Sequence, residues 1–142
     1  MILLDTHVLV WAMLSPEMLS GRAREAIVQA RMAGERLRCS PLSLYEIARA
    51  VGRKKLRLNT AVEEFLAEIE SRVELVPVTA RIAACAADLP EELGNDPVDR
   101  MLVATAMEGD YTLVSYDERI RRAGACKEIG RASCRERVSN CV

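Results

Sequence analysis

Ile2-Leu3-Leu4-Asp5-Thr6-His7-Val8-Leu9-Val10-Trp11-Ala12-Met13 opens the chain with a short apolar run, a single acid, and then apolar residues at helical spacing. The order is strand, acid, helix. Outward from this unit the same order recurs. Leu37-Arg38-Cys39 reads as a second short strand, and Ser40-Pro41 as a cap with proline at the first helical position, where a missing N–H costs nothing. The helix over 42–51 that follows carries Glu46. Val73-Glu74-Leu75-Val76-Pro77-Val78 is a third strand, with Pro77 marking its end or an edge position. Thr112-Leu113-Val114-Ser115 is a fourth strand ending in Tyr116-Asp117, and residues 125–129 offer a fifth. Amphipathic helices are expected over 20–33, stopped by Gly34, from Asn59-Thr60 onward, over 80–89 behind a Thr79 cap, and over 118–123. Strands alternating with helices predict an α/β domain: a central, mostly parallel sheet of four to five strands in a three-layer α/β/α arrangement.

In such sheets, ligands bind along the edge formed by the carboxyl ends of the strands and the N-termini of the helices after them. Asp5 follows strand one directly, Glu46 lies in the first turns after strand two, and Asp117 follows strand four. A further pair opens the helix leading into strand four, in Asn95-Asp96-Pro97-Val98-Asp99-Arg100-Met101-Leu102-Val103-Ala104-Thr105-Ala106. Asp96-Pro97 reads as N-cap and first helical residue. Asp99 heads a column with Leu102, Val103 and Ala106 and so leans inward, where a carboxylate needs a positive or hydrogen-bonding partner.

Each acid also has a plain structural use. Asp5, Asp96 and Asp117 suit N-caps, and Ser43-x-x-Glu46 has the form of a capping box. Gathered together, however, carboxylates repel and take up protons unless a cation holds them. Oxygen-only ligands select Mg²⁺ or Mn²⁺, and Mg²⁺ accepts substrate phosphates among its remaining ligands. Phosphoester chemistry is therefore expected.

The composition narrows the alternatives. The chain has 142 residues, half of them hydrophobic, with 20 Lys+Arg against 21 Asp+Glu. That describes one soluble globular domain, and the net charge of −1 argues against a globally basic nucleic-acid binder while leaving room for a local basic patch. No basic-then-apolar leader and no membrane-length apolar run is read, so a cytoplasmic location and no membrane partner are expected. Five cysteines without Cys-x-x-Cys spacing support neither zinc nor a disulfide framework, and Cys39 and Cys85 read as buried thiols. His7, the only histidine, reads as structural.

With these residues in view, the chain resembles the PIN-domain ribonucleases, and within them the VapC-like toxins of toxin–antitoxin pairs. Four blocks carry the resemblance in order: Leu3-Leu4-Asp5-Thr6-His7, Ser43-Leu44-Tyr45-Glu46-Ile47-Ala48, Asp96 to Ala104, and Leu113-Val114-Ser115-Tyr116-Asp117-Glu118-Arg119-Ile120. The pattern departs where the family usually has an aromatic and this chain has Val98. The resemblance implies a Mg²⁺-dependent endoribonuclease, with Mn²⁺ a substitute. Asp5, Glu46 and Asp99 would be its catalytic and metal-binding acids, Asp117 a fourth member, and Asp96 an outer-shell ligand or cap. It further implies an RNA substrate, a cognate antitoxin, and a homodimer, for which Trp11 and Met13 offer apolar surface. An alternative is a catalytically weak PIN-like module acting with an antitoxin in transcriptional regulation. A receiver-type phosphotransfer protein fits less well, because Asp5 stands alone and Thr79 follows strand three.

Ser115 is expected to bond a metal-bound water or phosphate, or to cap the last helix. Among the basic residues, Arg100 is expected to pair with the acids, and Arg53 to Lys55 to meet RNA. Residues 1–129 form the expected nuclease domain. The arginine-rich stretch 130–142 lacks its periodicity and resembles translated vector sequence, so a non-native, disordered extension is expected there.

Overall fold

The structure, a computed structural model, describes residues 1–129; the extension expected over 130–142 lies outside the described residues. Five strands, β1 (Ile2–Leu4), β2 (Arg38–Cys39), β3 (Glu74–Leu75), β4 (Thr112–Val114) and β5 (Glu128–Ile129), form a sheet in the order β3-β2-β1-β4-β5. Every pairing is parallel. Seven α-helices connect the strands: α1 (Thr6–Leu14), α2 (Gly21–Met32), α3 (Pro41–Gly52), α4 (Val62–Arg72), α5 (Ala80–Ala87), α6 (Pro97–Gly109) and α7 (Glu118–Ala123).

The strands are short, and their side chains divide between two cores with the period of two that a pleated strand imposes. Leu4 and Val114 join the core under α1 to α4, whereas Leu3 and Leu113 join the core under α5 to α7. All four are fully buried, each worth about 1.5–3 kcal/mol of burial. This is the three-layer α/β/α domain expected from the alternation.

The caps explain where most helices begin. Ser20, Ser40, Thr79, Asp96 and Asp117 each accept a backbone N–H of the first turn, and Asp5 accepts that of Thr6. α4 differs: it starts at Val62 rather than at Asn59-Thr60, behind Ala61, which has no capping side chain. The third strand is shorter than the run 73–78, because only Glu74 and Leu75 find partners in register with β2. The Val76 N–H still reaches the Cys39 carbonyl at 3.0 Å, and Pro77 has no N–H with which to continue. Cys39 is buried as expected, but Cys85 is only half-buried.

One consequence of the strand order positions the site. From β1 the chain moves outward through β2 to β3, then returns to place β4 on the other side of β1. The connections leave β1 and β4 in opposite directions, which opens a crevice beyond their carboxyl ends. Among the described residues, no helix is long and apolar enough to cross a membrane.

Candidate metal centre

Asp5, Glu46, Asp96, Asp99 and Asp117 all line one cleft at that crevice, together with His7, Trp11, Tyr116 and Arg119. The five acids proposed from sequence thus converge. They arrive from both layers: Asp5 from the end of β1, Glu46 from α3, Asp96 and Asp99 from the start of α6, and Asp117 from the turn after β4.

Asp5 is 7% exposed, and its two oxygens are engaged separately. Oδ1 accepts the Thr6 N–H at 2.7 Å and Oδ2 accepts the Ser115 hydroxyl at 2.6 Å. Ser115, fully buried, in turn accepts the Asp117 N–H at 3.1 Å, so one hydroxyl ties the ends of the two central strands together. Ser115 therefore holds an acid directly, and the cap of α7 is Asp117. The capping box read at Ser43 is absent: Ser40 caps α3, and buried Ser43 accepts the Thr6 hydroxyl at 3.0 Å. Glu46 is left to the cleft. Asp96 is the cap it was expected to be, accepting the Val98 and Asp99 N–H groups at 2.8 and 3.4 Å while lining the same cleft. Capping and cleft lining are compatible, because both need an acid at a helix N-terminus on this edge.

The basic partner of the acids is Arg119, not Arg100. Arg119 Nη2 donates to Asp99 Oδ2 at 3.0 Å and to Asp117 Oδ2 at 2.9 Å. Arg100 is committed elsewhere: its guanidinium donates to the carbonyls of Ala86, Ala87, Leu89, Pro90 and Gly94. Its work is to hold the irregular 86–94 connection. Gly94, at φ +87°, closes that connection beside Arg119, and a Cβ there would stand 3.3 Å from the Arg119 guanidinium. Sequence gave no reason to prefer Arg119, since only the fold brings α7 against the start of α6. His7 is also corrected. It is exposed in the cleft, not structural, with its ring 6.0 Å from that of Trp11.

Electrostatics sharpen the picture. Burial, then the charges of Asp96, Asp5 and Asp117, push Asp99 up to about 7, against the pull of Arg119. Burial also raises Asp5, opposed by the Ser115 hydroxyl, and raises Glu46, opposed by the Thr6 hydroxyl and reinforced by Asp5 and Asp96. Partial burial works to raise Asp117, but its hydrogen bonds and ion pair with Arg119 hold it below the ordinary carboxylate range. A set of acids that resist ionisation because they are buried together is one that a cation stabilises. The donors are all carboxylate oxygens, the chemistry that suits Mg²⁺ or Mn²⁺. Among the described residues, no three His, Cys, Asp or Glu side chains are arranged to hold an ion as they stand. Arg119 meanwhile already neutralises two of the acids.

Known proteins share this fold. The PIN domain family model matches residues 2–125. Ribonuclease VapC22 of Mycobacterium tuberculosis (strain ATCC 25618 / H37Rv) is 34% identical over 120 residues, covering 84% of this chain and 89% of the relative. The fold is also that of VapBC2 from Rickettsia felis, solved bound to a DNA fragment from their promoter, at TM-score 0.67 and 18% identity over 92% of this chain and 98% of that one. FitAcB from Neisseria gonorrhoeae gives a TM-score of 0.65 at 20% identity, over 91% and 96% of the two chains. With its four sequence blocks brought to one cleft and the family model spanning nearly all the described residues, the chain belongs to the PIN domain family.

Proposed function

We propose that this chain is a Mg²⁺-dependent endoribonuclease, with Mn²⁺ a substitute, acting as the toxin of a toxin–antitoxin pair. The observation that carries the reading is the gathering of Asp5, Glu46, Asp99 and Asp117 in one cleft of a PIN domain. The relative named Ribonuclease VapC22 supports the activity. An antitoxin partner is supported by the VapBC2 structure and by a toxin–antitoxin complex from Klebsiella pneumoniae of the same fold.

Asp5, Glu46, Asp99 and Asp117 would hold the cation, with Asp96 behind them as the cap that fixes the first turn of α6. A bound divalent ion supplies Lewis acidity toward the phosphodiester and an ionised water as nucleophile near neutral pH. The chain's own residues do the rest. Ser115 and the Thr6 N–H hold Asp5 in one orientation, and Ser115 joins it to Asp117. Arg119 offers a guanidinium beside the same acids, where it can meet a phosphate once Asp99 and Asp117 are otherwise neutralised. A homodimer belongs to the same proposal; exposed Leu14 at the end of α1 and Met18 in the turn after it supply apolar surface for it.

The test is to incubate the purified chain with a panel of RNAs in Mg²⁺, Mn²⁺ or EDTA, beside Asp99→Asn. Cleavage is expected only with the divalent ions. In the variant it should fall by more than the roughly 10–100-fold typical of losing an outer-shell partner. Cleavage that persists in EDTA, or an unchanged variant, would overturn the metal-dependent reading, and no cleavage of any RNA would leave the catalytically weak binding module in its place.

A further inference from the structure

A second cleft opens beside the acidic one and shares His7, Trp11, Glu46 and Asp96 with it. Its far wall is of opposite character. Glu46 and Arg49 on α3 and Arg53 at its C-cap follow one another at three- and four-residue spacing, so a single stripe changes from acid to base as it leaves the sheet edge. Beyond Arg53 the chain reverses sharply. Lys54 takes a left-handed conformation at φ 59° and its N–H meets the Val51 carbonyl at 3.1 Å, while the Lys55 N–H meets that of Ala50 at 2.9 Å. This pair of bonds is the Schellman closure, usually built on glycine. It brings Lys55 back to the same cleft as Arg49 and Arg53.

Among the described residues, Arg49, Arg53 and Lys55 have no carboxylate partner in an ion pair, and Arg49 lies 5.7 Å over the Tyr45 ring. Three uncompensated cations on one wall attract an anion. α1 supplies the other wall, where His7 and Trp11 stand one turn apart and Trp11 rests on Tyr116 at 5.0 Å between ring centres. The half-buried Trp11 ring is thus held in place by a second aromatic, and it offers a face on which a base can stack. The cavity measures about 500 Å³, within the range of small-ligand sites.

We propose that this cleft is the subsite for the nucleotide next to the scissile bond of a single-stranded RNA. Successive backbone phosphates of the strand lie on Arg49, Arg53 and Lys55, and the base stacks on the Trp11 and His7 side. The inference rests on the ribonuclease reading of the acidic cleft, since the shared residues let one strand occupy both. Val10, Ile47, Ala50 and Leu56 line the cleft as well, but the three cations among them favour an anionic strand over an apolar helix.

Trp11 is the only tryptophan of the chain, so its fluorescence reports on the two clefts it lines, and the cationic variants single out this one. Titrating the full chain with pentauridylate in EDTA, where no cleavage is expected, should give saturable quenching. The logarithm of affinity should fall against that of KCl concentration with a slope of about −2, as three phosphate contacts on a single strand require. The R49Q/R53Q/K55Q variant should bind at least about tenfold more weakly at low salt with a slope near zero, and Arg53→Gln alone should lower the slope by about one contact. Circular dichroism checks that each variant is folded, and Arg53→Gln stands alone if the triple variant is not. No quenching by RNA, equal quenching in the folded variants, or equally tight binding of decaglutamate would overturn the subsite. Asp99→Asn separates the two proposals, because it should bind pentauridylate at least as well as the parent while losing cleavage. Binding that behaves as stated, with cleavage indifferent to metal and to Asp99, would instead overturn the metal-centre reading alone.

Discussion

Arg119 is the residue on which the state of the acidic cleft turns. It forms ion pairs with Asp99 and Asp117 at 3.0 and 2.9 Å while its own side chain is half exposed. It therefore competes with any divalent cation for those carboxylates. A pair of this exposure is worth up to about 1 kcal/mol, so Arg119→Gln should tighten Mn²⁺ binding by up to about fivefold in calorimetry. Arg119→Lys, which keeps the charge but loses the fork, should tighten it less; unchanged affinity in the Gln variant would show that Arg119 is no competitor. Glu128 on β5 allows a separate test. Burial, with the charges of Glu118, Asp117 and Asp5, pushes it up to about 7 against the pull of Arg121. Its folded value lies above its unfolded one, so the folded chain binds the extra proton between them. The stability it contributes is complete below about pH 4.5 and is lost as pH rises through 7. Thermal melts in EDTA should show melting temperature falling over that window, and Glu128→Gln should flatten the fall, with the remainder due to Asp5, Glu46 and Asp99.

At the scale of elements, the start of α6 is held from outside as well as by its own cap. Arg100, one turn into the helix, gathers the carbonyls of the 86–94 connection, including that of Gly94 at 2.8 Å. The same connection carries the turn Glu91–Leu93, against which α7 packs. Arg100→Met would leave these carbonyls without their donor. A loss of about 2–3 kcal/mol is expected, as for hydrogen bonds to a charged group, read as a lower urea midpoint. Because Arg119 rests beside Gly94, the variant should also loosen the Arg119 seat. Its Mn²⁺ affinity should then shift in the direction of Arg119→Gln, and a stable variant with parent-like Mn²⁺ affinity would separate the two arginines.

For the whole molecule, the acids come from opposite layers of the sandwich and meet only beyond β1 and β4. An ion held by them would tie the α1–α4 side to the α5–α7 side. Mn²⁺ at about a hundred times its dissociation constant should add roughly 2.7 kcal/mol of stability and raise the melting temperature accordingly. Asp5→Asn and Asp99→Asn, from different elements, should each abolish most of the rise. If only one does, the ion is held by a single element and the shared centre is wrong.

Much of this was legible in the amino-acid order. The alternation of short apolar runs with capped helices determined the three-layer class, because strand pleating and helix capping are local rules acting within a few residues. The acids were legible for the same reason: each follows a strand or opens a helix, and those positions share one edge in a parallel sheet. Strand order, and with it the crevice between β1 and β4, was decided by the tertiary structure, since it depends on which side of β1 the returning chain packs. So was the exchange of roles between Arg100 and Arg119. Both arginines lie near acids in sequence, but a guanidinium bonds whatever the fold brings within 3 Å. For Arg100 that is a set of carbonyls, and for Arg119 it is two carboxylates, one of them from a helix twenty residues away.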